Sequence, residues 1–173
     1  GKTVELSGLR RDGTEFPLEL SLAEWKAGEQ TYFTGVVRDG TERKRSVDAL
    51  RESTARYEGL FTQMLNGFGV HEVICDADGK PCDYRFLAVN PAFERFTGLK
   101  AQDVVGRTVR EVLPGIEAFW IDTLGQVATT GKAAHFEHAS GALHRHYEVF
   151  AFCPKPGQFA AVFNDVSDRR QLE

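Results

Sequence analysis

The chain ends twice in the same way. Residues 33–45 read FTGVVRDGTERKR and residues 159–171 read FAAVFNDVSDRRQ. Aligned, they share Phe33/Phe159, Val36/Val162, Asp39/Asp165, Thr41/Ser167, Glu42/Asp168 and Arg43/Arg169. Each copy is an apolar stretch that runs into an acidic residue, a hydroxyl residue and a charged helix start. A repeat this specific requires two β-rich units that end at the same kind of strand-to-helix corner, and it takes precedence over any local pattern.

Residues 1–40 read as three strands. Val4 and Leu6 share one face of the first, from Thr3 to Leu9. Arg11-Asp12-Gly13-Thr14 supplies hairpin turn chemistry. Phe16, Leu18, Leu20 and Leu22 then alternate with Glu15, Glu19 and Ser21. Lys26 to Glu29 forms the next turn and Tyr32 to Val37 the third strand. Three strands with one apolar face are marginal in water, and residues 1–40 supply no cover for that face. Residues 41–65 are predicted to be a linker helix, with Thr41 as its cap and Glu42 in its first turn. Val47, Leu50, Thr54, Tyr57, Phe61 and Met64 recur at alternating steps of three and four. That spacing suits an amphipathic helix lying on its own domain, or a parallel coiled coil that pairs two subunits. The second is preferred, so a homodimer through this helix is expected. Asn66-Gly67 is expected to close the helix in a left-handed cap.

Residues 66–166 alternate differently. Two strands, Phe68 to Asp76 and Asp83 to Val89, flank the turn Asp78-Gly79-Lys80-Pro81. Asn90 caps a short helix with Pro91 in its first turn and Phe93, Phe96 and Leu99 on its apolar side. Short helical turns follow over Ala101 to Val105 and Val109 to Leu113. A longer helix is predicted from Gly115 to Thr130, carrying Ile116, Phe119, Trp120 and Leu124 and stopped by Gly131. Three strands complete the unit (Ala133 to Ala139, Leu143 to Cys153, Gln158 to Asp165), and Ser167 opens a last helix over residues 167–173. The fold class is therefore α+β.

Composition removes several function classes. The net charge is −4, so a basic nucleic-acid footprint is not expected. No apolar run approaches 18 residues and no signal peptide opens the chain; a cytoplasmic segment without membrane contact is expected. Three irregularly spaced cysteines do not form a disulfide framework. Cys75 and Cys82 flank a turn, either as a facing redox pair or as two separate thiols. No nucleophile elbow, phosphate loop or metalloprotease motif occurs, so no catalytic residue is assigned and any output enzyme is expected to lie outside this chain. With a turn at Ser140-Gly141-Ala142, His138 would face His144, with His146 on the same face and His135 on the other. These imidazoles are weak zinc or nickel candidates, a cluster titrating near neutral pH, or simply exposed strand residues.

With these residues in place, the second unit resembles the PAS sensor domain. The resemblance rests on Asn90-Pro91-Ala92-Phe93, Phe96-Thr97-Gly98-Leu99, Val105-Gly106-Arg107, Gly131-Lys132 and Asp165-Val166-Ser167-Asp168-Arg169. It covers Tyr57 to Glu173 as a complete domain, and Gly1 to Arg45 as the last three strands of a preceding one, where Gly1-Lys2 matches Gly131-Lys132. It implies a five-stranded antiparallel sheet with short helices on one face. Asn90, Thr97, Gly98 and Gly106 would mainly build this scaffold. One departure is Gly40, which replaces the hydrophobic residue kept by Val166. A looser first corner follows, and Gly40→Val is expected to raise the thermal midpoint.

Members of this family divide by ligand. Val109 stands where flavin-binding light sensors carry their adduct-forming cysteine, which excludes that photochemistry. The longer helix has no histidine for iron, so haem is not expected. The resemblance leaves a small organic ligand between that helix and the sheet, bordered by Leu87, Val89, Phe93, Phe96, Phe119, Trp120, Leu124, Tyr147, Val149 and Phe159, with Trp120 and Tyr147 as polar handles. The alternative is that these side chains fill the core. In the corners, Asp39 with Thr41 and Arg43, and Asp165 with Ser167 and Arg169, would relay a signal: each carboxylate could accept from helix N–H groups and from the arginine four residues on. The resemblance further implies a covalently linked output domain, a histidine kinase or a diguanylate cyclase, with a ligand-free dimerisation module as the rival function.

Overall fold

The computed structural model describes residues 2–171. Gly1, Leu172 and Glu173 lie outside the described residues, and with them part of the Gly1-Lys2 correspondence and the end of the 167–173 helix. The chain divides into two compact units, residues 1–58 and 59–173.

The first unit begins with an antiparallel meander of β1 (Lys2–Leu9), β2 (Glu15–Ala27) and β3 (Gln30–Asp39). Its tight turns use Gly13 and Gly28 at φ +84° and +63°, a region that favours glycine. Val4 lies opposite Leu20 and Leu20 opposite Val37, so the expected apolar face forms. It stays largely open: Leu6 is 49% and Val37 63% exposed. The β2–β3 hairpin extends beyond its predicted ends, held there by Trp25 stacked on its cross-strand partner Tyr32 at 4.7 Å. Next comes α1 (Thr41–Gln63), which buries no residue; Val47, Leu50 and Tyr57 are exposed.

The second unit is a five-stranded antiparallel sheet in the order β5-β4-β8-β7-β6, formed by β4 (Gly67–Cys75), β5 (Pro81–Val89), β6 (Ala134–Ser140), β7 (Arg145–Phe152) and β8 (Gln158–Asp165). Between β5 and β6 run α2 (Pro91–Thr97), α3 (Ala101–Val104), α4 (Val109–Val112) and α5 (Ala118–Thr130), and α6 (Ser167–Gln171) follows β8. β6-β7-β8 repeats the meander of β1-β2-β3, each ending in a helix, which is the structural basis of the sequence repeat. The two corners also share a hydrogen bond: Gly40 N donates to Pro17 O at 2.8 Å, and Val166 N to His146 O at 2.9 Å.

Several local expectations are corrected. Gly67 does not cap α1; it opens β4, and a Cβ there would stand 2.5 Å from the Phe163 ring. Close approach of that ring, rather than a left-handed turn, requires the glycine. α5 starts three residues after Gly115, because residues 113–116 form a turn closed by Ile116 N donating to Leu113 O. It stops as expected at Gly131, φ +75°, whose N–H bonds Val127 O. The β6–β7 turn takes four residues, 141–144, with His144 itself at φ +54°. The register then pairs His138 with Tyr147 and Ala139 with His146, so His138 and His146 take opposite faces and His144 sits in the turn. His135 lies opposite Phe150, and its Nε2 reaches diagonally to within 3.2 Å of Glu148 Oε1. Among the described residues no three His, Cys, Asp or Glu side chains converge as a metal site. Cys75 lies opposite Pro81, not Cys82, whose thiol points to Ile74 O.

One face of the sheet carries the core. α5 packs on it through Trp120, Ile121, Leu124, Val127 and Ala128, all buried at helical spacing. Asn90 secures the start of α2 and is fully buried. Its Oδ1 accepts from Phe93 N at 2.8 Å and Phe68 N at 2.9 Å, and its Nδ2 donates to Asn66 O at 3.0 Å. A single side chain thus joins the helix cap, the first strand and the segment before it.

Candidate functional site

Between its helices and its sheet the second unit forms a half-open cavity of about 80 Å³. Of the predicted border, Phe93, Trp120, Leu124, Tyr147 and Val149 line it; Leu87, Val89, Phe96, Phe119 and Phe159 do not. A bulge explains Leu87. Val70 pairs with Ala88 but His71 pairs with Phe86, which leaves Leu87 as the extra residue. The inward set on β5 is therefore Tyr84, Phe86 and Val89, and strict alternation fails. Val89 joins the core cluster away from the cavity wall. Phe96 turns its ring to Phe163 and offers its backbone carbonyl to the Tyr147 hydroxyl at 2.9 Å. Phe119 is 37% exposed and stacks on His138 at 3.7 Å. Phe159 is buried behind His71, the two rings stacked at 4.6 Å.

Pattern reasoning missed His71, Tyr84, Phe86, Ser140 and Phe163, all of which border the cavity. The signal for His71 was present: Gly67, Gly69 and His71 alternate on β4 and all three are buried. Two glycines obscured the apolar period. Gly69 makes room for the imidazole, since a Cβ there would lie 2.7 Å from His71 Cε1.

Burial dominates the electrostatics of this wall. Desolvation pulls the His71 pKa down to about 3 against an opposing hydrogen bond to the Phe159 backbone, so the ring is neutral near pH 7. Burial, and secondarily the charge of Asp165, pushes the Tyr147 phenol up to about 12. Burial likewise raises Tyr84. The cavity is therefore lined by uncharged groups. At about 80 Å³ it is far smaller than the roughly 300 Å³ or more of a drug-sized pocket. An isoalloxazine or a porphyrin does not fit it as it stands, and Val109, fully buried at the start of α4, does not border it.

The two corners have matching chemistry with one correction. Asp39 Oδ1 accepts from Thr41 N at 2.9 Å and Thr41 Oγ1 at 2.5 Å; Asp165 Oδ1 accepts from Ser167 N at 3.0 Å and Ser167 Oγ at 2.5 Å. The arginine partner is not the one four residues on. Asp39 pairs with Arg10 at 2.6 Å, and Asp165 pairs with Arg145. Arg43 reaches instead to Glu5 at 2.8 Å and Glu19 at 2.7 Å, and Arg169 to Glu137 at 2.5 Å. The first helical turn aims these side chains at the neighbouring strands, away from the cap. Each helix root is thus fixed by one arginine from the meander and by its own arginine onto the meander. The Thr41 hydroxyl and N–H, then Arg10, hold the Asp39 carboxyl down to about 2. At Asp165 burial pushes upward, and Ser167 with Arg145 outweighs it, so the net shift is downward. At Gly40 an added Cβ would meet Pro17 O at 3.3 Å, so the entropic gain expected of Gly40→Val is opposed by crowding at that carbonyl. In the predicted seam of α1, Val47, Leu50, Thr54 and Tyr57 are exposed and Met64 is half-buried, while Phe61 meets Phe68 edge-on at 5.7 Å.

Comparison with known proteins agrees with this architecture. A family model described as PAS fold matches residues 74–171, and one described as PAS domain matches residues 1–42. The sensor protein FixL of Bradyrhizobium diazoefficiens is 49% identical over 47 residues, 27% of this chain; the chain spans only 9% of that relative. The PAS domain of an HTR-like protein from Haloarcula marismortui is similar in structure, with 23% identity, TM-score 0.50, and coverage of 70% of this chain and 98% of that one. A domain of a sensory box sensor histidine kinase/response regulator from Geobacter sulfurreducens has 16% identity and TM-score 0.49, with coverage of 67% and 96%.

Proposed function

The chain belongs to the PAS family, and from that premise we propose that it is a sensory module whose second unit takes a small organic molecule and passes the change to α6 through the Asp165 corner. One observation carries this reading: Tyr147, which lines the cavity, is the cross-strand partner of Asp165. A shift of β7 or β8 on filling the cavity moves the carboxylate that holds Ser167 and Arg145. The output enzyme, a histidine kinase or a diguanylate cyclase in this proposal, lies outside the chain, the chain itself performs no catalysis, and the module works in the cytoplasm. Native mass spectrometry of purified protein, followed by denaturation, tests the ligand. A released small molecule supports the reading; bare protein from several expression hosts counts against it.

The exposure of Leu50 (69%) and Tyr57 (57%) on α1 favours a second reading, a dimerisation module paired along that helix. The two are compatible. A ligand-free but dimeric protein would leave only the second.

A further inference from the structure

The polar groups bordering the cavity are unequally satisfied. Thr97 Oγ1 donates to Phe93 O at 2.8 Å, Tyr147 OH donates to Phe96 O at 2.9 Å, and Ser140 Oγ accepts from Leu143 N at 3.3 Å. His71 Nδ1 and Trp120 Nε1 have no hydrogen-bond partner among the described residues, although both residues are more than nine-tenths buried. Buried polar atoms in native proteins are nearly always paired, so two orphans on residues that line one cavity from its two sides, His71 on β4 and Trp120 on α5, point to an occupant that satisfies them.

Their chemistry is not interchangeable. The indole nitrogen can only donate. The neutral imidazole keeps one N–H; with that N–H assigned to Nε2, the unpartnered Nδ1 offers a lone pair. An occupant must therefore present one acceptor and one donor. Among the described residues no charged side chain lines the cavity, so an ionised ligand would be left uncompensated. An apolar cavity of about 150 Å³ holds benzene, so about 80 Å³ suits roughly three to four non-hydrogen atoms. Resting on the ligand-binding reading above, we propose that this cavity selects a compact neutral amide-type molecule, its carbonyl accepting from Trp120 Nε1 and its N–H donating to His71 Nδ1.

Acetamide is the direct probe. Acetone has the same shape and acceptor without the donor, and 2-methylpropene has neither. Trp25 supplies an internal control for the indole signals, because its Nε1 already donates to Thr34 Oγ1 at 3.0 Å in the first unit. In ¹H–¹⁵N spectra of the whole chain, saturable acetamide binding should move the Trp120 indole resonance and leave that of Trp25 in place. Affinity should fall about tenfold from acetamide to acetone, and again for acetamide with Trp120→Phe or His71→Phe, as for one lost hydrogen bond. Folding of the variants is checked by the unchanged dispersion of the remaining amide signals. Equal binding of all three probes, or no movement of the Trp120 indole, would overturn the assignment. If denaturation releases a larger or charged native ligand, the amide assignment fails while ligand sensing stands. If the cavity holds only water and no probe binds, both fail.

Discussion

Replacing Asn90 by alanine gives a test whose magnitude follows from the structure. The side chain is fully buried and makes three hydrogen bonds to the backbone, at Phe93 N, Phe68 N and Asn66 O. Truncation leaves two donors and one acceptor without that partner. A buried donor or acceptor left unpaired costs about 1–3 kcal/mol, and part is recovered where water reaches the site. The expected loss is about 3–5 kcal/mol, the range of the largest single-site effects. For a unit of this size that is a fall of roughly 10–20 °C in the thermal midpoint. Asn90→Asp keeps the acceptor for both N–H groups and loses the donor, so its cost should fall between wild type and alanine. The two units can unfold separately, so the second is followed by Trp120 fluorescence in a Trp25→Phe background. An Asn90→Ala variant within about 1 kcal/mol of wild type would refute the reasoning, because these bonds would then carry little of the junction.

Two further outcomes are expected. The folded His71 pKa, about 3, lies below its unfolded value near 6.5, so this stabilisation is complete above pH 6.5 and is lost as pH falls toward 3, with a limiting slope of about 1.4 kcal/mol per pH unit; urea midpoints of His71→Phe between pH 7.5 and 4 should lack that part of the slope. Gly67→Ala would drive a Cβ to 2.5 Å from the Phe163 ring and should cost about 1–3 kcal/mol by denaturant titration, with β4 the first strand to lose amide protection.

Much of the architecture was legible in the sequence because it is specified locally. The repeat gave both corners, Asn90-Pro91 and Gly131 gave the ends of α2 and α5, and the Asp-Gly turns gave the hairpins. The cavity was less legible because its wall depends on events that leave no periodic trace. A single-residue bulge at Leu87 changed the inward set on β5, and two glycines masked the inward set on β4. The histidine prediction failed on turn length: a four-residue turn, rather than the three residues Ser140-Gly141-Ala142, moves every partner along β7. The corners show a different limit. Sequence spacing suggested an arginine four residues from each aspartate, whereas the partners are 29 and 20 residues before it, at Arg10 and Arg145.

The central claim, that the state of the cavity is transmitted to the helix root, can be tested without a ligand. Ala161 lines the cavity on β8, four residues before Asp165. Ala161→Leu puts an apolar side chain where an occupant would sit. Hydrogen exchange across Val166 to Arg169 should then change by severalfold relative to wild type, with the first unit unaffected. Unchanged exchange at that corner, in a variant whose cavity residues show altered protection, would contradict the account.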